Sequence, residues 1–234
     1  MGRVALVTGG TGALGGAVTR RLLEDGHGVA TTCVHDDQVK SLRAELGNLG
    51  SGLVVVKTDV TDESSVSRAL AEVRGQLGTI EVLVHLVGAW HGGESVQEHS
   101  LETWRGIVDL NLTSAFLCCR EILPEMLEAG WGRVVLVSSR TAKEGRLGQS
   151  AYAVAKEGVA TLAEVIAEEC CGSGVTANVI APSVLDTPAN RRAMPSADFT
   201  RWVTPEVAAA MVAFLISDEA GTLRGAWLPV FGSV

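Results

Sequence analysis

The apolar run Val4-Ala5-Leu6-Val7-Thr8 leads directly into Gly9-Gly10-Thr11-Gly12-Ala13-Leu14-Gly15, and no other stretch narrows the possible folds as far. A short β-branched and aliphatic run of this kind reads as a buried strand. The residues after the glycines, with Ala17, Val18, Leu22 and Leu23 as apolar positions, read as a helix to Asp25. A strand turned by glycines into a helix is the opening of a βαβ unit, which implies a parallel sheet with crossover helices. Glycines let the backbone turn tightly and approach a pyrophosphate, whose charge is favoured by the helix N-terminus. Residues 10–15 spell GxGxxG between that strand and helix, and this context points to dinucleotide binding. The plain alternative is a glycine turn kept for close strand–helix packing.

The same alternation continues along the chain. Strands are expected at residues 28–34, 53–57, 80–87, 134–137, 175–181 and 226–230. Helices are expected at 38–46, from the capping pair Thr61 and Asp62 to Leu77, at 101–128 behind an N-cap at Ser100, through Tyr152 and Lys156, and after Thr204-Pro205-Glu206. Pro124 should kink or restart the long helix. Residues 188–202 read as a short polar lid. Strands alternating with helices throughout predict an α/β fold, a Rossmann-type doubly wound parallel sheet of about seven strands, order 3-2-1-4-5-6-7, with helices on both faces.

Composition bounds the partners. At 234 residues and 47% hydrophobic, the chain can bury one substantial core, and residues 1–234 are expected to form a single domain. A net charge of −8 without a basic stripe argues against nucleic acid. No apolar run approaches the roughly 20 residues that span a bilayer, so no membrane is expected. Met1-Gly2-Arg3 runs straight into a strand, without the pattern of a signal peptide. Cys33, Cys118, Cys119, Cys170 and Cys171 are odd in number and lack CxxC spacing. They read as free thiols in a reducing cytoplasm, and no metal site is expected.

Chemistry concentrates in Val134–Glu157. Tyr152 and Lys156 sit four apart and so share one helix face. An ammonium beside a phenol favours the phenolate, lowering its pKa from about 10 toward a range useful for proton transfer. Ser139, at the end of the preceding strand, is placed to polarise a carbonyl while Tyr152 delivers the proton. The bland reading is a surface Tyr and Lys on an amphipathic helix.

Thr8-Gly9 with Gly15, then Asn111, Ser139, Tyr152 and Lys156, resembles the short-chain dehydrogenase/reductase family. The resemblance implies an NAD(P)-dependent enzyme interconverting a carbonyl and an alcohol, with Asn111, Ser139, Tyr152 and Lys156 as catalytic residues. In the family the asparagine holds its helix bent and binds a water that relays protons from the lysine. Cofactor contacts are implied at Gly9, Thr11, Gly12, Ala13 and Leu14 of the turn, at Cys33 and His35 after the second strand, and at Asp59 and Val60 near the adenine. Gly88, Tyr152, Lys156, Pro182, Val184 and Thr187 complete the set, Thr187 toward the nicotinamide amide or the phosphates. An acid at the Cys33 position favours NAD, and its absence, with His35 near, leans the expectation to NADP rather than NAD.

Three accessory positions depart from the family: Ala13 stands where a glycine is usual, His85 replaces the first asparagine of an Asn-Asn-Ala-Gly turn, and Ser183 replaces a glycine. His85 is expected to steady the central strand by side-chain to backbone bonds. Ser183 cannot cheaply take φ > 0 and is expected to re-route its loop. Trp90 and His91 are expected to border the substrate pocket, with His99 on the solvent side. Asp186-Thr187-Pro188, Asn190-Arg191, Met194-Pro195, Ala197-Asp198-Phe199 and Trp202 are similar to the lid of quinonoid dihydropteridine reductases. A pterin- or quinone-type reductase is therefore one alternative, and a non-catalytic dinucleotide-binding sensor is another. The family resemblance also implies a homo-oligomer, tetramer or dimer, acting on a small molecule.

Overall fold

The computed structural model describes residues 2–233. Its strands are β1 (Val4–Thr8), β2 (Gly28–Cys33), β3 (Val54–Lys57), β4 (Val82–His85), β5 (Gly132–Val137), β6 (Val175–Pro182) and β7 (Trp227–Val230). Among the described residues they form one parallel sheet in the order β3-β2-β1-β4-β5-β6-β7, as expected. The helices are α1 (Ala13–Glu24), α2 (Asp36–Leu46), α3 (Glu63–Leu77), α4 (Leu101–Val108), α5 (Ser114–Ala129), α6 (Arg140–Glu144), α7 (Ser150–Glu169), α8 (Pro188–Ala193) and α9 (Pro205–Leu215). No helix among the described residues is long and apolar enough to cross a membrane.

Both faces of the sheet are covered, which is why its strands read as unbroken apolar runs. Side chains alternate across the sheet, so Leu6, Leu83, Val134 and Leu136 enter one core with Leu70 of α3, Ile122 of α5 and Val159 of α7. Ala5, Val7, Val82, Val84 and Val135 enter the other with Leu22 of α1, Leu42 of α2 and Leu215 of α9. Each fully buried aliphatic side chain contributes about 1.5–3 kcal/mol by removal from water, so this double layer is what holds the strands parallel.

Strand order reverses at the centre. β1 is followed outward by β2 and β3, and the chain then crosses back so that β4 pairs with the other side of β1. Thr8 and His85 are register partners at the carboxyl ends of these two strands. A crevice opens above such a reversal, because the helices on either side leave in opposite directions.

Local chemistry sets several element ends. Asp62 caps α3 by accepting from Ser65 N at 2.9 Å, and Thr204 caps α9 ahead of Pro205. Ser100 caps α4 by accepting from Thr103 N at 3.0 Å, one of the four N–H groups the first turn leaves without an intrahelical partner. Ser100→Ala is expected to lower stability by about 1 kcal/mol, read as a lower urea midpoint at unchanged slope.

The long helix expected over 101–128 differs in kind. Helix α4 passes into α5 through a π-helical segment, Asp109–Thr113, while α5 continues through Pro124 without ending there. The break therefore lies at Asn111 and not at the proline, whose missing N–H removes one bond from a helix already packed along its length. The short α6 and a 3-10 turn at Gly47–Gly52 were not expected. Strand β4 is shorter than 80–87, since ladder pairing with β1 stops at His85.

Candidate active site

The glycine turn closes on itself before it meets any ligand. Gly9 has φ +70°, and Gly12 N donates back to Gly9 O at 3.1 Å. A Cβ on Gly15 would stand 2.1 Å from Gly9 O, so only glycine lets α1 start this close beneath the turn. Thr31 and Thr32 of β2 hold the turn from below, accepting from Gly10 N and Gly9 N at 3.0 and 3.1 Å. Ala13 opens α1 and needs no left-handed conformation, since no non-glycine residue among those described has positive φ. The shift of glycine from position 13 to position 12 is thereby absorbed.

Helix α1 has no side-chain cap, and its first residues line a cavity of about 450 Å³. Gly9, Gly12, Ala13, Leu14, Leu86, Thr187 and Arg192 line it. Unpaired N–H groups and a helix N-terminus suit a diphosphate, and Arg192 adds a cation on the opposite wall. Arg192 was missed in the sequence because it lies on the lid, far along the chain from the glycines. Helix α8 brings it across, capped by Thr187 Oγ1 accepting from Asn190 N at 3.2 Å.

At the end of β2, Cys33 is buried, and burial pushes its thiol pKa up. His35 lies beyond it as the N-cap residue of α2, without a side-chain cap bond. Lys57 is the register partner of Cys33 and pairs with Asp36 at 3.4 Å. Thr11 Oγ1 donates to Gln38 Oε1. Asp59 is exposed and ties its own turn by accepting from Thr61 N and Oγ1, whereas the Val60 side chain is buried in the core. Pro182 ends β6 against Val230 of β7, and Val184 O accepts from Val203 N. Ser183 takes its place without positive φ, donating N–H to Val230 O, so the expected re-routing is unnecessary.

Residues far apart in sequence meet above β4 and β5. Asn111, in the π-helical segment, donates Nδ2 to Ile107 O at 3.0 Å and Ala89 O at 3.1 Å. Its Oδ1 is buried without a partner. A Cβ on Gly88 would lie 2.5 Å from that Oδ1 and 2.9 Å from Lys156 Nζ, so both polar atoms crowd the space that only glycine leaves open. Lys156 is buried, and desolvation lowers its pKa to about 8. Ser139 ends the loop after β5 as the N-cap of α6. Its hydroxyl also reaches the Tyr152 phenol.

One expectation is reversed. Burial raises the Tyr152 pKa, and the Ser139 hydroxyl pulls it the other way. The lysine does not lower it here, because Nζ donates to Val137 O at 3.0 Å and lies 5.9 Å from the ring centroid. The ammonium is spent on a strand carbonyl instead of the phenol.

His85 is a strut, though through side chains and not the backbone bonds expected of it. Leu86 N donates to Thr8 Oγ1, which leaves the Thr8 hydroxyl to donate to His85 Nδ1 at 2.9 Å. Ser114 Oγ donates to Leu110 O, so it accepts from His85 Nε2–H at 3.1 Å. This chain runs from β1 through β4 to the residue before Asn111. Burial, with the Lys156 charge adding to it, lowers the His85 pKa to about 3, and the ring is neutral.

In the loop after β4, His99 departs from expectation. Trp90 is largely exposed. The His99 side chain is only 4% exposed, the opposite of a solvent position, because its ring turns inward edge-on to His91 and to Trp104 of α4. All five cysteines are free thiols, Cys171 exposed and the others buried.

A family model described as short chain dehydrogenase matches residues 3–197. A 2-dehydro-3-deoxy-L-rhamnonate dehydrogenase (NAD(+)) from Sphingomonas sp. is 33% identical, covering 93% of this chain and 89% of its own. An acetoacetyl-CoA reductase from Allochromatium vinosum is 30% identical over 100% and 99% of the two chains. Among solved structures, a variant of actinorhodin polyketide ketoreductase with NADPH superposes with a TM-score of 0.91 at 28% identity, covering 99% of this chain and 96% of that one.

Proposed function

The chain belongs to the short-chain dehydrogenase/reductase family, and from that premise we propose that it reversibly reduces a small-molecule carbonyl to an alcohol with a nicotinamide dinucleotide. The observation that carries this reading is the meeting of Ser139, Tyr152, Lys156 and Asn111 beside a cleft floored by the glycine turn. The bound dinucleotide supplies hydride at its nicotinamide C4. Gly9, Thr11, Gly12, Ala13, Leu14 and Arg192 would hold its diphosphate, and Thr187 with Pro182 and Val184 would line the nicotinamide end. Ser139 orients the carbonyl oxygen by a hydrogen bond, and Tyr152 Oη gives it a proton. Lys156 Nζ, which donates to Val137 O, would return a proton to the phenol and would also hold the nicotinamide ribose. Asn111 Oδ1, buried and pointing at Gly88, accepts from the water that resupplies the lysine.

Both NAD and NADP fit this cleft chemically, and the reading leans to NADP. No carboxylate ends β2 to claim the ribose hydroxyls, since Cys33 stands there. Lys57 stands beside it in register, and its exposed pair with Asp36 is worth little, so it is free to turn to a 2′-phosphate. Asp59 and the Val60 backbone would frame the adenine, with His35 at the ribose edge. Residues 1–234 act as one such unit. Exposed Phe116 and Leu127 on α5, and Val154 and Val165 on α7, are each three turns apart and form faces suited to a second copy.

Titration with NADPH and NADH, followed by nicotinamide fluorescence, tests the cofactor reading. NADPH should bind several-fold more tightly and be oxidised on a panel of 3-oxoacyl thioesters, ketones and quinonoid dihydropterin. Turnover of the pterin alone would move the substrate assignment to the alternative that the lid sequence favours. Binding without any turnover would favour the sensor, and no binding of either nucleotide would overturn the proposal.

A further inference from the structure

Outside the cleft, the loop between β4 and α4 gathers two imidazoles and a carboxylate that the proposed reaction does not use. His91 Nε2 lies 3.9 Å from Glu94 Oε2, and His99 Nδ1 lies 3.4 Å from the same oxygen. The three ligand atoms are all within 4.8 Å of one another. A turn built by Glu98 N and His99 N donating to Ser95 O brings His99 back over the earlier two. The spacing His91-x2-Glu94-x4-His99 is visible in the sequence, but only this turn makes the side chains converge.

The polar atoms of this cluster converge without hydrogen-bonding one another. His99 is almost wholly buried, and neither of its ring nitrogens has a hydrogen-bond partner. His91 Nε2 and Glu94 Oε2 are likewise buried atoms without a hydrogen-bond partner, meeting only within this cluster. Leaving such groups unpaired away from water is costly, so a native arrangement of this kind needs an explanation. Two imidazole nitrogens and one carboxylate oxygen are a donor set suited to zinc and its neighbours, and too rich in nitrogen for magnesium or calcium. A tetrahedral ion with bonds of about 2.1 Å needs ligand atoms about 3.4 Å apart. One of the three separations already meets this, and small side-chain rotations close the others.

We propose that His91, Glu94 and His99 bind a zinc-class divalent cation, with water as the fourth ligand. The bound ion fixes the loop over residues 90–100. Gly93 N of that loop donates to Gly148 O at 2.9 Å, and Gly92 packs so tightly on Gln149 that a Cβ would stand 3.0 Å from its Cγ. Residues 148–149 lead directly into α7 and Tyr152, so the ion braces the wall of the cleft from outside.

The test is titration of chelator-treated full-length protein with Co²⁺, read by its visible absorption, followed by displacement with Zn²⁺. One equivalent per chain should bind, and zinc should raise the melting temperature. Glu94→Gln and His91→Ala, at the more exposed ligands, should each weaken zinc at least about tenfold while circular dichroism stays unchanged. His99→Ala should abolish binding, although its buried position makes the other two variants decisive. Cys171→Ser, at the exposed thiol, should leave binding as it was. Absence of saturable binding, unchanged affinity in Glu94→Gln and His91→Ala, or loss of binding in Cys171→Ser would overturn the site. None of these readouts depends on turnover or on the dinucleotide.

Discussion

Tyr152→Phe is expected to lower kcat by about 10²–10⁴-fold while NADPH binding changes little. The substitution removes one oxygen from a side chain that is otherwise half-buried packing, so the helix and the cleft persist. In the proposed reaction that oxygen gives the substrate its proton, and the Ser139 hydroxyl is its hydrogen-bond partner. Cofactor contacts attributed to the glycine turn, Thr187 and Lys156 remain. Steady-state kinetics and a parallel fluorescence titration separate the two effects. Turnover near that of the unmodified protein would sink the assignment of Tyr152 as proton donor, and loss of nucleotide binding would mean that its role is structural.

His85→Asn should flatten the acid dependence of stability. The folded protein keeps His85 neutral down to about pH 3, whereas the unfolded chain takes up a proton near 6.5. Above that range both states carry the neutral ring and the difference vanishes. As pH falls from 6.5 toward 3, the unfolded state binds a proton that the folded state refuses, so stability is lost. By roughly pH 5 the loss from this group alone is about 2 kcal/mol. Asparagine has no such proton to bind. Urea unfolding of both proteins at neutral pH and near pH 5 should therefore show the larger loss in the unmodified chain. The variant starts lower at neutral pH, because a smaller side chain breaks the Thr8–His85–Ser114 chain and leaves a gap. Equal losses in the two proteins would show that His85 titrates freely and is not held neutral by burial.

The apolar runs and the glycine turn made the sheet legible, because parallel strands covered on both faces have to be apolar throughout. Ser100 and Thr204 were readable as caps for a local reason, since each bonds an N–H three residues on. Asn111, Ser139, Tyr152 and Lys156 were legible as residue types at a familiar spacing. Their electrostatics were not. A tyrosine and lysine four apart share a helix face, yet which carbonyl or hydroxyl each one meets depends on β5 and its following loop. Pro124 misled for the same reason: a local rule about helix breaking was outweighed by packing, and the real interruption came where Asn111 bonds Ile107 O and Ala89 O. His99 lies within a polar stretch and reads as exposed, until the turn at Ser95 folds it under.

The sequence by itself determined the alternation of strands and helices, the place of the glycine turn and the identity of the chemical groups, because periodicity, caps and backbone freedom act over a few residues. Only the tertiary structure decided that His85 is a neutral strut, that Lys156 faces Val137 O, that Arg192 crosses to the cavity lined by the glycine turn, and that His91, Glu94 and His99 converge. Those outcomes depend on desolvation and on contacts between segments distant in the chain, which no local pattern encodes.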